Sequence, residues 1–158
     1  MIRERGPLTV AAFMDLALYD SDHGYYARAA HRSGRAGDFF TSVDVGPLFG
    51  ELLALQVCEM AAVLRTGAAD SAEQAERAPT FDLVEAGAGN GRLAADILRT
   101  AKERHRACYD SIRLHLVEAS AVARAAQPDT LGDLAERLAS STASLPDEFE
   151  GILLANEL

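Results

Sequence analysis

The stretch FDLVEAGAGNG, Phe81 to Gly91, decides how the chain folds. An apolar, strand-like run ends in an acid, Glu85, and gives way to glycines at alternate positions, Gly87, Gly89 and Gly91, before a helical pattern opens. Glycine takes positive φ without strain and lets a ligand approach the backbone without meeting a β-carbon. The helix that follows aims unpaired N–H groups at whatever lies on the turn. The sequence therefore predicts a strand-turn-helix built for a nucleotide-like cofactor. Its spacing is not that of a dinucleotide fingerprint, G-x-G-x-x-G. The third glycine comes one residue early, and an acid stands two residues before the first.

Downstream of the turn, RLAADILRTAKER puts Leu93, Ala94, Ile97, Leu98 and Ala101 on one stripe, as the crossover helix of a βαβ unit requires. The run IRLHLV, Ile112 to Val117, reads as the next strand and ends at Glu118. In nucleotide folds a carboxylate at the tip of that strand hydrogen-bonds ribose hydroxyls, so Glu118 is predicted to do so. Helical sequence follows from Ala121 to Ala126, with a break expected at Pro128 and a resumption from Leu131 to Leu138. A weak third strand is expected near Arg137 to Ser141, and a last one over Ile152 to Ala155.

Upstream, LTVAAFMDLALYD places Val10, Phe13, Met14, Ala17 and Leu18 on one helical face, with Thr9 available as N-cap. A polar turn containing His23, the pair Tyr25-Tyr26 and a basic glycine-punctuated loop come next. Gly46-Pro47 then opens a long helical pattern in which Leu48, Leu52, Leu55, Cys58, Glu59 and Ala62 step round the axis. From Arg65 to Thr80 large apolar residues disappear. The expected organisation is an N-terminal helical lobe and lid over 1–65, a linker over 66–80, and the sheet domain over 81–158.

With 158 residues, 49% hydrophobic and 25% charged, the chain is ordinary globular material of about one domain. Acids outnumber bases 24 to 15, a formal charge of -9, which argues against a nucleic-acid surface. Cys58 and Cys108 lie far apart with no CxxC and no matching histidine cluster, so neither a metal site nor a disulfide is expected. No window approaches a membrane span, and MIRERGPLTV lacks a signal peptide's apolar core, so a cytoplasmic protein is expected. The final GILLANEL stops where a strand should hand over to a loop, and the chain reads as cut short there.

The strand-E-x-G-x-G-x-G form resembles motif I of Rossmann-like methyltransferases, which bind S-adenosylmethionine. Taken with HGYY at 23–26, GDFFTS at 37–42, LFGE at 48–51, LVEAS at 116–120 and LLANEL at 153–158, it resembles the MidA-type methyltransferase family. The mitochondrial members of that family support respiratory complex I assembly by symmetric dimethylation of an arginine in a core subunit. The resemblance implies an α/β, Rossmann-like class I methyltransferase fold with an N-terminal helical lobe, truncated here after the fourth strand. It also implies S-adenosylmethionine as cofactor and an arginine-bearing protein as substrate. One local departure stands out: after GDFFTS the family usually reads Pro-Glu, where this chain has Val43-Asp44.

The cofactor residues implied are Glu85, Gly87, Gly89, Asn90, Gly91 and Glu118, with Asp38, Phe39 and Thr41 as a lid or wall. The aromatic ring of Phe39 could face a sulfonium cation, although Phe39 and Phe40 read equally well as core. Glu157 is expected to be the substrate-side carboxylate that holds a guanidinium through paired hydrogen bonds, with Asn156 positioning. With its last strand an uncovered edge, the 158-residue piece is expected to bind cofactor weakly, if at all, and not to turn over. The expected compartment is the bacterial cytoplasm, or the mitochondrial matrix in a eukaryote. Two alternatives stay open from sequence: an NAD(P)-dependent oxidoreductase, and a non-catalytic assembly or scaffold factor on the same fold.

Overall fold

Phe81–Ala86 (β1), Ile112–Val117 (β2), Leu138–Thr142 (β3) and Gly151–Ala155 (β4) form one parallel sheet in the order β3-β2-β1-β4. The computed structural model describes residues 6–20, 22–25, 45–68 and 80–156. Six residues of β1 pair in unbroken register with β2, Phe81 opposite Ile112 through Ala86 opposite Val117. The β2–β3 pairing slips between Leu114 and His115, so that Leu114 meets Leu138 while His115 meets Ser140. Both strands flanking the glycine turn fall where the apolar runs place them, and the third strand begins one residue later than expected.

The core lies on one face of this sheet. Phe81 and Leu83 from β1, Ile112, Leu114 and Leu116 from β2, and Ile152 from β4 are buried there. Against them pack helices α2 (Leu48–Ala68), α3 (Arg92–Arg104), α4 (Arg106–Ser111) and α5 (Ala121–Leu131), with a 3-10 turn over Gly132–Arg137. In α3 the whole expected stripe, Leu93, Ala94, Ile97, Leu98 and Ala101, is buried. The opposite face carries a line of polar groups. Arg113 bonds Asp82 at 2.8 Å, His115 Nε2 lies 2.9 Å from Asp82 Oδ1, and His115 Nδ1 lies 2.8 Å from Ser140 Oγ.

Two helices show which of their residues are buried, and one local expectation, the break at Pro128, needs correction. Helix α1 (Val10–Tyr19) forms with Thr9 as its N-cap, accepting from Ala12 N at 3.1 Å, but none of its residues is buried, so its apolar face is not core within the described residues. In α2 the buried positions are Gly50, Ala54, Val57 and Ala61, while Leu48, Leu52 and Leu55 face outward. Small residues face α3 because the two helices approach closely: a β-carbon on Gly50 would stand 2.5 Å from Asp96 Cβ. Gly50→Ala is therefore expected to cost roughly 2 kcal/mol by overpacking, read as a lower denaturant midpoint at unchanged slope. Finally, α5 runs through Pro128 to Leu131 instead of breaking there. Proline removes one amide bond, and the helix ends instead at Gly132, φ 55°, whose N–H reaches back to Pro128 O.

Candidate functional site

The glycine turn leaves the carboxyl end of β1 and enters α3 at Gly91. Gly87, Gly89 and Gly91 all adopt left-handed φ, 70°, 52° and 83°, which is why alternate glycines are needed here. The turn is closed by main-chain bonds, Ala88 N to Val117 O at 3.0 Å and Gly91 N to Ala88 O at 2.8 Å. A β-carbon on Gly89 would meet nothing within 4 Å, whereas one on Gly91 would come 3.3 Å from Leu116 Cδ1 and 3.5 Å from Gln127 Cγ. Gly89 thus borders open room that a ligand can fill, and Gly91 sits against the core.

Two acids converge on this turn. Glu118, at the tip of β2, accepts from Gly89 N at 2.8 Å through Oε2 and from Ser120 N at 2.7 Å through Oε1. The Arg124 guanidinium donates to the Glu118 carbonyl and, at 2.9 Å, to that of Ala119, pinning the start of α5 to the strand end. Glu85 is only 5% exposed. It accepts from the backbone N–H of Ala94 in the first turn of α3, and burial pushes its carboxyl up to about 8, with the Glu118 charge adding and the Ala94 bond opposing. Its second oxygen, Oε2, is buried with no hydrogen-bond partner. Buried acceptors are normally satisfied. These acceptors fit S-adenosylmethionine: the unsatisfied Glu85 oxygen can accept from a cationic amino group, and Glu118 retains lone pairs to accept from hydroxyls.

Of the residues expected at the site, Glu85, Gly87, Gly89, Asn90, Gly91 and Glu118 are gathered at one end of the sheet. Asn90 is exposed, and its Oδ1 accepts from Arg92 N at 3.3 Å, so its contact here is with the opening of α3. Asn156 sits half-buried just past the carboxyl end of β4, next to β1. Glu157, Asp38, Phe39 and Thr41 lie outside the described residues. His23 is a turn residue: its backbone N–H bonds Asp20 Oδ1 at 2.8 Å, and the half-buried Asp20 holds the exposed Asp22 and His23 by such bonds.

Sequence reading missed Gln127. It is fully buried in α5 and donates to Gly89 O at 2.8 Å, while its own Oε1 accepts from Ser141 Oγ at 2.6 Å. The one available signal was position, since Gln127 precedes Leu131 by four residues on the inward stripe of the helix. An open groove of about 340 Å³ between α2 and the amino end of β4, lined by Met60, Val63, Leu64 and Ile152, lies at the opposite end of the sheet from the turn.

Comparison with known proteins agrees with this geometry. Residues 52–158 match the family described as S-adenosyl-L-methionine-dependent methyltransferases. The protein arginine methyltransferase NDUFAF7, mitochondrial, of Mus musculus is 37% identical over 122 residues, which cover 75% of this chain and 25% of the mouse protein. The Homo sapiens protein of that name is 35% identical over 120 residues, 75% of this chain and 24% of its own. The Drosophila melanogaster homolog is 31% identical over 149 residues, 94% of this chain and 29% of the fly protein. The chain thus spans about a quarter of the length of these curated relatives. A crystal structure from Burkholderia thailandensis, described as a candidate methyl transferase bound to S-adenosyl-homocysteine, superposes with a TM-score of 0.76 at 28% identity, over 99% of this chain and 38% of that one. The parallel sheet, the glycine turn with its two acids and these matches agree on one assignment: the chain belongs to the S-adenosyl-L-methionine-dependent methyltransferase family.

Proposed function

We propose that the full-length protein transfers a methyl group from S-adenosylmethionine to a side-chain nitrogen of a protein, and that this nitrogen belongs to arginine. The observation that carries the cofactor half is the buried, half-unsatisfied Glu85 carboxyl standing beside a left-handed glycine turn that Glu118 holds from the other side. When bound, the cofactor supplies an electrophilic methyl on sulfonium sulfur. Glu85 receives the amino group, Gly87 and Gly89 give the backbone clearance, and Glu118 takes the ribose hydroxyls, as strand-tip acids do. The arginine half and a mitochondrial site in a eukaryote are supported by the names of the relatives, and a link to complex I assembly rests on the family resemblance alone.

On the substrate side, a role for Asn156 is supported by its position just past the carboxyl end of β4, since open α/β sheets build their sites beyond such ends. Glu157 follows it in sequence and is the carboxylate we assign to the guanidinium, holding it by charge-assisted bonds and accepting the proton its nitrogen loses as the N–C bond forms and the methyl's bond to sulfonium sulfur breaks, leaving a neutral thioether. In a form extended to the relatives' length, Glu157→Gln is expected to lower kcat at least a hundredfold while the Kd for S-adenosyl-homocysteine stays within threefold. Normal turnover by that variant on an arginine-bearing protein would remove Glu157 from the reaction.

A further inference from the structure

We infer that Gln127, backed by Ser141, is a positioning residue that sets the Gly89 peptide for cofactor binding. The inference rests on the glycine turn being the cofactor site and adds a residue 38 positions away in sequence.

The Gly89 residue is gripped at both ends. Its N–H donates to Glu118 Oε2 at 2.8 Å, and its carbonyl accepts from Gln127 Nε2 at 2.8 Å. Gln127 in turn is oriented by Ser141, whose hydroxyl donates to Gln127 Oε1 at 2.6 Å. The Gly89 carbonyl can only accept, so the amide nitrogen faces the turn, and the amide oxygen is left to accept from the Ser141 hydroxyl. A line of hydrogen bonds therefore runs from β3 through α5 to the turn and on to the tip of β2. Gln127 is 0% exposed, so its amide is held away from bulk water at the centre of the line, while Ser141 lies at its exposed end. A glycine with no β-carbon contact within 4 Å has no packing of its own to hold its φ of 52°. The two side chains supply the restraint that packing does not. Without the Gln127 bond the φ and ψ of Gly89 are released, so the peptide units on both sides of its Cα can turn, the N–H can leave Glu118, and the carboxylate is freed. Both the open room beside Gly89 and the orientation of Glu118 would change together.

Gly91 shows that the placement is built in. A β-carbon there would come 3.5 Å from Gln127 Cγ and 3.7 Å from Gln127 Cβ, so the stem of Gln127 lies against the turn while its amide reaches over it. Leucine, one atom shorter and without an amide, keeps the stem against the turn and loses the bond.

The test is calorimetric binding of S-adenosyl-homocysteine to the protein extended to its relatives' length and to its variants, with thermal melts alongside. Gln127→Leu is expected to weaken binding tenfold or more, and Ser141→Ala, at an exposed position, about threefold with little change in Tm. Gln127→Glu adds a readout that a purely structural role would not move. Ionised, it cannot donate to Gly89 O; protonated, it can. Its affinity relative to wild type should recover as pH falls from 8 to 5. Leu134→Ala, buried in the 3-10 turn, is expected to lower Tm and leave binding within twofold. Binding by Gln127→Leu within twofold of wild type would overturn the positioning role, and so would equal weakening by Leu134→Ala. Should Gln127→Leu not fold, unchanged affinity in Ser141→Ala together with a flat pH ratio for Gln127→Glu overturns it. Gly89→Val separates the two readings: full binding by that variant overturns the turn as the site, and loss of binding there with Gln127→Leu unaffected overturns only the inference about Gln127.

Discussion

Gly151→Ala is expected to lower Tm by about 10 °C or more, on the order of 4 kcal/mol at the scale of this chain. A β-carbon on Gly151 would stand 2.0 Å from Asp82 O, 2.7 Å from Asp82 N and 2.8 Å from Asp82 C. These are backbone atoms of the central strand, so no side chain can swing aside to relieve the clash. β4 must move off β1, and with it go the bonds Asp82 N to Glu150 O at 2.8 Å and Glu150 N to Asp82 Oδ2 at 3.0 Å. The Asp82 carboxyl would then be left in a nearly buried position with one partner fewer, which is itself costly. Displacement of β4 also carries Asn156 away from its place beside β1. A thermal melt by circular dichroism checks the effect, and a Tm within 2 °C of wild type would contradict the close strand contact.

Glu85→Gln is expected to stabilise the ligand-free protein at pH 8 and to weaken cofactor binding at least tenfold. The folded carboxyl is pushed from an ordinary 4.5 to about 8, first by burial and then by the Glu118 charge. A carboxyl whose folded pKa is raised binds its proton more tightly in the folded state, so stability is highest below 4.5 and falls as pH rises toward about 8. The full loss is on the order of 5 kcal/mol, or roughly 10 °C or more in Tm. Glutamine keeps the shape and cannot ionise. Wild type and variant should therefore melt together near pH 5 and diverge by pH 8, and parallel pH curves would contradict a raised Glu85. Binding of the cationic cofactor amine favours the carboxylate, so wild type should release close to one proton on binding at pH 7. Calorimetry in buffers of different ionisation enthalpy reads that number, and Glu85→Gln should show none.

The parts of this fold that are legible in sequence are those in which hydrophobic period and burial coincide. The strands around the glycine turn and the stripe of α3 are of this kind, and so is Glu118, because a strand tip is a fixed distance from the turn that precedes it. Legibility fails where size replaces hydrophobicity. In α2 the leucines look like the buried face, yet the close approach of α3 selects Gly50, Ala54 and Ala61 instead. It fails again where a polar residue is buried for a partner that is remote in sequence. Gln127 in an alanine-rich stretch looks like a surface residue until Gly89 O is placed beside it. Pro128 was misleading for a related reason, since one missing amide bond costs a helix less when tertiary contacts hold both flanking turns.

The polar line on the face away from the helices bears on how the chain finds its pairing. Parallel strands have no hairpin to align them, and side chains alternate faces, so a slip by one residue turns every group over. Burial raises the Asp82 carboxyl, but the Glu150 amide, His115 and Arg113 outweigh it and hold the group below its ordinary value, as a charged acid with fitted partners. Slipping β2 by one position would present Leu114 or Leu116 to Asp82 in place of His115 and would push the imidazole into the hydrocarbon layer under α3. Moving β3 by one would separate Ser140 from His115 in the same way. The line thus acts as a key for strand alignment: it adds modestly to the correct sheet and penalises each misaligned one heavily, so the encounter of four strands far apart in sequence has one low-energy outcome.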